Sequence, residues 1–218
     1  MDQDVGGSVK QKRNAAEAGE PLSEHSSLGK VAGALTDVLS CGFFLLTWVA
    51  PLTVGVEWIG NLMAVMLVEF LAVHSGGLIG LPLLDPAYSR VRKTLIVVGA
   101  GALYMIFAGA FSYAMETWWP AAAFAWLLLS KLILVWLSPL PHAAERDRQK
   151  KLVGFSVLAY IGGIFLTTLL WVPELGVTDE VRNLADLPGS GLWVDDPQSV
   201  LAFGFLYFGA TAWFKIRL

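Results

Sequence analysis

Two ionisable side chains, Glu69 and His74, lie inside a long apolar stretch of this sequence. The stretch runs from Gly60 to Leu84 and reads GNLMAVMLVEFLAVHSGGLIGLPLL, which is long enough to cross a bilayer as a helix. At about 1.5 Å per residue, Glu69 is predicted roughly 13 Å into the run, near the middle of the hydrocarbon layer. Ionisable groups at that depth face other helices or a cavity and mark proton or ion pathways. We therefore expect Glu69 to point into a helix bundle and to have a partner there.

The predicted partner of Glu69 is Lys131, in the apolar run AFAWLLLSKLILVW. Counted from Ala121, Lys131 lies about 15 Å along its own helix, which matches the depth of Glu69. A helical side chain leans towards the N-terminus of its helix, here away from the nearer surface, so pairing is favoured over snorkelling. Such a pair either fixes the register of two helices or works on protons or ions.

His74 is a candidate for the same site. Five residues along a helix correspond to roughly 140° around it, so one straight helix cannot aim both Glu69 and His74 into a narrow cavity. Two interpretations follow. Either Ser75, Gly76 and Gly77 loosen the helix and allow a two-step proton relay, or His74 only forms a hydrogen bond with another helix.

Tyr104 and Asp37 complete the polar candidates. Tyr104 lies near the middle of its apolar run and is predicted chiefly to pack in the core. Asp37 lies about 9 Å from Val31, close enough to the membrane surface to be hydrated, and is a weaker functional candidate.

Small residues predict where helices approach one another. Ala72, Gly76 and Gly80 recur at multiples of four on the span that carries Glu69, a pattern that allows close helix packing. Gly101 belongs to a small and polar face with Tyr104, and we predict that this face packs on the Glu69 span.

These candidates are placed on six apolar runs. They are Val31 to Thr53, Gly60 to Leu84, Thr94 to Met115, Ala121 to Leu137, Leu152 to Val172 and Ser199 to Phe214. Apolar residues make up 56% of the 218-residue chain, well above the share of a soluble protein, and prolines fall at or beyond the ends of the runs. The sequence therefore predicts an all-α integral membrane protein with six transmembrane helices.

The distribution of lysine and arginine predicts the orientation. Most of them lie before the first run, after the second, after the fourth and at the C-terminus, which places both termini in the cytoplasm. Residues 1–30 are polar and are predicted to form a disordered cytoplasmic tail, and residues 31–218 form the six-helix domain. A bacterial inner membrane is the expected location.

The loop of residues 173–198 is acidic and is predicted to lie outside. Thr178 is placed to cap a short helix, with Asp179 at its positive first turn and Pro188 beyond its end. Val181 and Leu184 would then face the membrane, and the loop would form an interfacial lid.

Several chemistries have no counterpart in the sequence. The single cysteine, Cys41, excludes an internal disulfide, and no metal-binding spacing, nucleophile elbow, phosphate loop or basic aromatic tract is present. We predict no metal, no cofactor, no catalytic residue and no nucleic-acid partner.

Three functions remain. The first and favoured one is a non-catalytic membrane component, either a subunit or an assembly partner, in which Glu69 and Lys131 hold the bundle together. Its partners would be the bilayer and other membrane subunits or further copies of the chain. The second is a small proton- or ion-coupled transporter or channel that uses Glu69, Lys131 and His74. The third is a membrane enzyme or redox subunit acting on a lipid or quinone near His74 and Tyr104.

Overall fold

The protein is built from long helices joined by short turns. The computed structural model describes residues 22–218, with side chains described from Gly33 onward. In those residues there is no β-strand. The long helices are α1 (Leu22–Val49), α2 (Glu57–Ser75, continued by a π-helical turn at Gly76–Gly80 and by Leu81–Leu83), α3 (Arg90–Ala114), α4 (Trp119–Leu137), α5 (Ala143–Leu169) and α6 (Pro197–Arg217). Short helices cover Pro51–Val54, Asp179–Ala185 and Leu192–Asp195.

Five helices of the described chain are long and apolar enough to cross a membrane. They are α2, taken as Glu57–Leu83, and α3 to α6. The apolar described part of α1, Gly33–Val49, is shorter than a full span. The structure therefore has the predicted all-helical membrane character, with five candidate spans and a shorter sixth apolar helix.

Helix α1 begins inside the segment predicted as a disordered tail. Its first residue is Leu22, whereas the prediction placed the start at Val31. Extending an existing helix avoids the cost of nucleating a new one, so a polar segment can continue an apolar helix. The earlier part of the predicted tail, residues 1–21, lies outside the described residues.

Helix α2 contacts every other long helix and joins two groups of helices. On one side, α1 and α5 pack on α6, and on the other side α3 packs on α4. The closest approach of α1 to α6 depends on Gly204, where a Cβ atom would overlap the ring of Phe44. Phe44, Phe203 and Tyr160 are almost fully buried and form the centre of the larger core cluster.

The two ends of the bundle differ in charge. At one end, which we call the basic end, a cavity is lined jointly by Arg90, Lys93 and Gln149, and another is lined by Arg148 and Leu218. The opposite or acidic end carries the segment 173–198, where the Trp48 indole N–H donates to the Pro173 carbonyl over 2.9 Å. The acidic segment is therefore attached to the end of α1.

Helix α2 extends beyond α4 at the acidic end. Phe124, near the start of α4, shares a buried cluster with Leu71, which lies well inside α2. A Cβ atom at Gly60, close to the start of α2, would lie 3.2 Å from the side chain of Leu187 in the acidic segment. The first turns of α2 therefore pack against the acidic segment. Residues that are equally far from the starts of α2 and α4 consequently lie at different levels of the bundle.

The predicted short helix in the acidic segment is present at Asp179–Ala185. Thr178 is its N-cap, and its hydroxyl accepts a hydrogen bond from the Val181 amide over 3.4 Å, as predicted. Val181 is buried in the protein core, while Leu184 is exposed. The prediction that Val181 faces the membrane was wrong, because the start of α2 covers this side of the short helix.

Candidate functional site

The Glu69 carboxylate is held by a tyrosine from another helix. The hydroxyl of Tyr207, on α6, donates to Glu69 Oε1 over 2.6 Å. Tyr207 is buried at 2% exposure, so its hydroxyl has little access to solvent. Glu69 therefore faces the bundle, and it connects α2 to α6.

A second tyrosine binds the same turn of α2. The hydroxyl of Tyr160, on α5, donates to the backbone carbonyl of Met66 over 2.7 Å. Met66 lies three residues before Glu69, within one helical turn of it. The rings of Tyr160 and Tyr207 meet edge to face, with their centroids 5.4 Å apart. We call Glu69, Tyr160 and Tyr207 the tyrosine clamp, since two hydroxyls from two helices bind one turn of a third.

The predicted ion pair between Glu69 and Lys131 is not formed. Neither residue takes part in the ion pairs of the described chain. The Lys131 ammonium instead lies beside Gly80, 3.9 Å from the position of a Cβ atom there. Gly80 is eleven residues beyond Glu69, roughly 16 Å along the helix. The prediction failed because α2 begins further towards the acidic end than α4 does.

Asp37 forms an ion pair near the basic end. Its Oδ2 atom lies 2.7 Å from the Nζ atom of Lys215, and the Asp37 side chain is 10% exposed. The same ammonium donates to the Gly33 carbonyl over 3.4 Å. The pair joins α1 to the last turn of α6.

His74 binds its own helix. Its Nδ1 atom lies 2.8 Å from the Phe70 carbonyl, so Nδ1 carries the proton of this hydrogen bond. The imidazole packs against the Phe70 ring at 4.1 Å and meets the edge of Tyr160 at 6.1 Å. The π-helical turn follows His74 and begins at Gly76, so helix loosening is present but lies after the histidine. The predicted hydrogen bond from His74 to another helix is absent from the described contacts.

Tyr104 packs in the core between α2 and α4. Its ring lies 6.0 Å from that of Phe124, and the residue is partly buried. Gly101, on the same face, allows α4 to approach, because a Cβ atom there would come within 2.9 Å of Leu128. The small face of α3 therefore contacts α4 at Gly101, while Ala108 on the same face shares a buried cluster with Leu71 of α2.

The small residues of α2 contact different neighbours. Gly76 faces Val153 on α5, whose side chain would lie 3.7 Å from a Cβ atom at the glycine, and Gly80 faces Lys131 on α4. Ala72 is partly buried, and its carbonyl accepts a hydrogen bond from the Ser75 hydroxyl over 3.1 Å. The stripe therefore turns around α2 and serves two neighbouring helices.

Arg182 organises the acidic segment. Its guanidinium lies 3.1 Å from Glu174, 3.4 Å from Asp196 and in contact with Asp179, while its side chain is 19% exposed. Burial lowers the pKa of Arg182, but the hydrogen bonds and charges of Asp179 and Glu174 outweigh burial and raise the pKa above its ordinary value. The short helix is thereby tied to both neighbouring parts of the segment.

In the described residues, no cluster of three His, Cys, Asp or Glu side chains is arranged to hold a metal ion. The polar groups that are brought together are the tyrosine clamp, the Asp37–Lys215 pair and the Arg182 cluster. Each of them joins separate elements of the chain, so these polar groups form hydrogen bonds and ion pairs between elements.

The sequence analysis did not select Tyr207, Tyr160 or Lys215 as site residues. One signal was available, since Phe203, Tyr207 and Thr211 recur at every fourth residue and all three are buried on one face of α6. That pattern marks an inward face, but it does not identify which carboxylate the tyrosine meets. Comparison with protein-family models, with curated proteins and with solved structures finds no match for this chain.

Proposed function

We propose that this chain is a non-catalytic membrane component, a subunit or assembly partner of other membrane proteins. The observation that supports this proposal best is the tyrosine clamp, in which the partly buried carboxylate of Glu69 is engaged by Tyr207. Hydrogen bonds of this kind fix the positions of helices in a membrane, where the alternative is an unpaired polar group in lipid. The role of Glu69 is then to hold α2 against α6, while Tyr160 holds the same turn of α2 against α5.

The Asp37–Lys215 pair supports the same proposal. It joins α1 to α6 near the basic end, so the clamp and the pair together hold four of the helices in register. The positive-inside rule would place this basic end, and with it both termini, in the cytoplasm. The acidic segment, tied by Arg182, would then lie outside as a rigid surface for a partner.

A small proton-coupled transporter is the second candidate. The observation that favours it is that one helix, α6, carries both Tyr207, which binds Glu69, and Lys215, which pairs with Asp37 near the basic end. Intramembrane carboxylates of this kind serve as proton relays in transporters. In this case the tyrosine clamp would orient Glu69 for proton exchange.

Replacing Glu69 by glutamine separates the two functions. The amide oxygen of Glu69→Gln still accepts the Tyr207 hydrogen bond, but the amide cannot exchange a proton at neutral pH. Glu57→Gln is a matched control, because Glu57 is an exposed carboxylate at the start of the same helix. Both variants and the wild type would be purified in mild detergent and reconstituted in vesicles that contain a pH-sensitive dye.

The proposal predicts no potential-driven proton flux for the wild type or either variant. It also predicts a partner that remains at fixed stoichiometry with all three proteins through two chromatographic steps. Proton flux in the wild type that Glu69→Gln abolishes, and that Glu57→Gln leaves intact, would establish the second candidate instead. Purification of the wild type from its native membrane as a lone monomer would contradict the assembly role.

A further inference from the structure

A cavity of about 300 Å³ lies at the basic end, between the end of α2, the start of α3 and the end of α4. Its walls combine apolar side chains with a few polar groups. The apolar part is formed by Leu83, Leu84, Leu134, Val135 and Leu140, and the polar part by Arg90, Lys93, Ser138 and Gln149. A size at the lower end of ligand pockets and a mostly apolar lining with few polar groups are typical of a binding site.

Lys93 is the central charged group of this cavity. The residue is 5% exposed, and its ammonium donates to the Leu83 carbonyl over 2.6 Å. An ammonium has three donors, so this one hydrogen bond leaves capacity for a ligand. Lys93 takes part in none of the ion pairs of the described chain, although Asp85 is close enough to act on it electrostatically.

The charges around the cavity favour an anion. Arg90 lines it beside Lys93, and Arg146 is also close enough to Lys93 to add to the positive potential. Asp85 opposes these three cations, and one of its oxygens already accepts the Ala87 amide hydrogen over 2.8 Å. A second carboxylate, Glu145, accepts a hydrogen bond from the lining residue Gln149 and is paired with Arg148. A negatively charged group that enters the cavity would therefore meet an excess of positive charge.

The position of the cavity favours a lipid over a soluble anion. It lies where the apolar helix Glu57–Leu83 ends, where Arg90–Ala114 begins and where Trp119–Leu137 ends. If these helices span the bilayer, their ends would lie near the level of the lipid phosphate groups. Leu134 and Leu140 line the cavity and remain exposed, so its apolar wall continues onto the lipid-facing surface. Basic pockets between membrane helices are known to bind anionic headgroups.

We propose that this cavity binds an anionic phospholipid, with the phosphate group at Arg90 and Lys93 and an acyl chain along Leu134 and Leu140. This site is independent of the function proposed above and does not involve the tyrosine clamp. A soluble phosphate would share the contacts with Arg90 and Lys93 but would gain nothing from the apolar wall.

The test uses the full chain in detergent, with phosphatidylglycerol or phosphatidylcholine added and bound lipids counted by native mass spectrometry. The variants are Arg90→Gln and Lys93→Gln, and the matched control is Lys150→Gln, an exposed basic-end residue that does not line the cavity. Because Lys93 is buried, its variant is checked for helix content. Arg90 is exposed, so Arg90→Gln keeps the test decisive if the Lys93 variant does not fold.

We expect phosphatidylglycerol to bind at least about tenfold more tightly than phosphatidylcholine. Arg90→Gln and Lys93→Gln should each weaken phosphatidylglycerol binding by roughly fivefold, the contribution of one basic residue near a membrane surface. Lys150→Gln should leave binding unchanged, and millimolar inorganic phosphate should not displace the lipid. Equal affinity for both lipids, an equal loss in Lys150→Gln, no loss in Arg90→Gln, or displacement by phosphate would each overturn the proposal.

Discussion

The tyrosine clamp predicts a measurable energetic coupling between Glu69 and Tyr207. The Tyr207 hydroxyl lies 2.6 Å from Glu69 Oε1, so replacing either side chain by an apolar one leaves the other without its partner. We expect Tyr207→Phe and Glu69→Met each to lower the free energy of unfolding by about 1–3 kcal/mol, the cost of a buried polar group left unpaired. Methionine is chosen because it is unbranched and close to glutamate in length.

The double variant should be more stable than the sum of the single changes implies. When both polar groups are removed, neither remains unpaired in apolar surroundings, so the remaining loss is that of one interhelical hydrogen bond. Such bonds between membrane helices average about 0.6 kcal/mol and reach about 1.7 kcal/mol. The double-mutant cycle should therefore give a coupling energy of about 1 kcal/mol or more.

Unfolding can be followed by circular dichroism in mixed micelles with increasing denaturing detergent. A useful comparison is Glu69→Gln, because its amide oxygen still accepts a hydrogen bond from the Tyr207 hydroxyl. This variant should lower the free energy of unfolding less than Glu69→Met does. Losses that simply add in the double variant would refute the clamp as a stabilising contact. Equal losses for Glu69→Gln and Glu69→Met would show that the hydrogen bond is not what the glutamate contributes.

Three further predictions concern other parts of the structure. Gly204→Ala should destabilise the protein by about 1–3 kcal/mol in the same unfolding assay, because the new methyl group overlaps Phe44. Gly162 has open space around it, so Gly162→Ala is the control and should not lower the free energy of unfolding. Arg182→Gln should speed proteolysis of the segment 173–198, since it removes the contacts to Glu174, Asp179 and Asp196; unchanged cleavage rates would contradict this role. The pKa of Arg182 is raised above its ordinary value, so its stabilising charge persists throughout the range from about pH 7 to pH 10, and the wild-type cleavage rate, corrected for protease activity, should stay constant over that range.

The apolar helices followed from local features of the sequence, although α1 and α5 begin at Leu22 and Ala143, before the predicted starts at Val31 and Leu152. A run of apolar residues forms a helix in a membrane because every backbone polar group must be satisfied within it, and prolines and charged residues then define where it ends. The Thr178 cap was equally local, since a threonine hydroxyl reaches the amide of Val181 within one turn. The start of helix α1 was misjudged, because a polar segment can extend an apolar helix without an apolar pattern of its own.

The identity of the partners was not local. The expected depth of Glu69 was counted from the first apolar residue, and that count could not show that the start of α2 packs against the acidic segment near Leu187. The resulting shift between α2 and α4 brings Lys131 beside Gly80, and Glu69 is instead bound by the hydroxyl of Tyr207. The rotation of α6 about its own axis, which turns Tyr207 towards the carboxylate, was likewise not readable from the sequence.

The amino-acid sequence by itself determined an all-helical membrane protein with basic and acidic ends and a carboxylate in the middle of one helix. These features depend on residues close together in the chain, where composition and helical periodicity are sufficient. Only the tertiary structure decided that Glu69 meets Tyr207, that Asp37 meets Lys215 and that Lys93 borders a cavity. Such contacts depend on the relative shift and rotation of whole helices, which are set by packing along their full length.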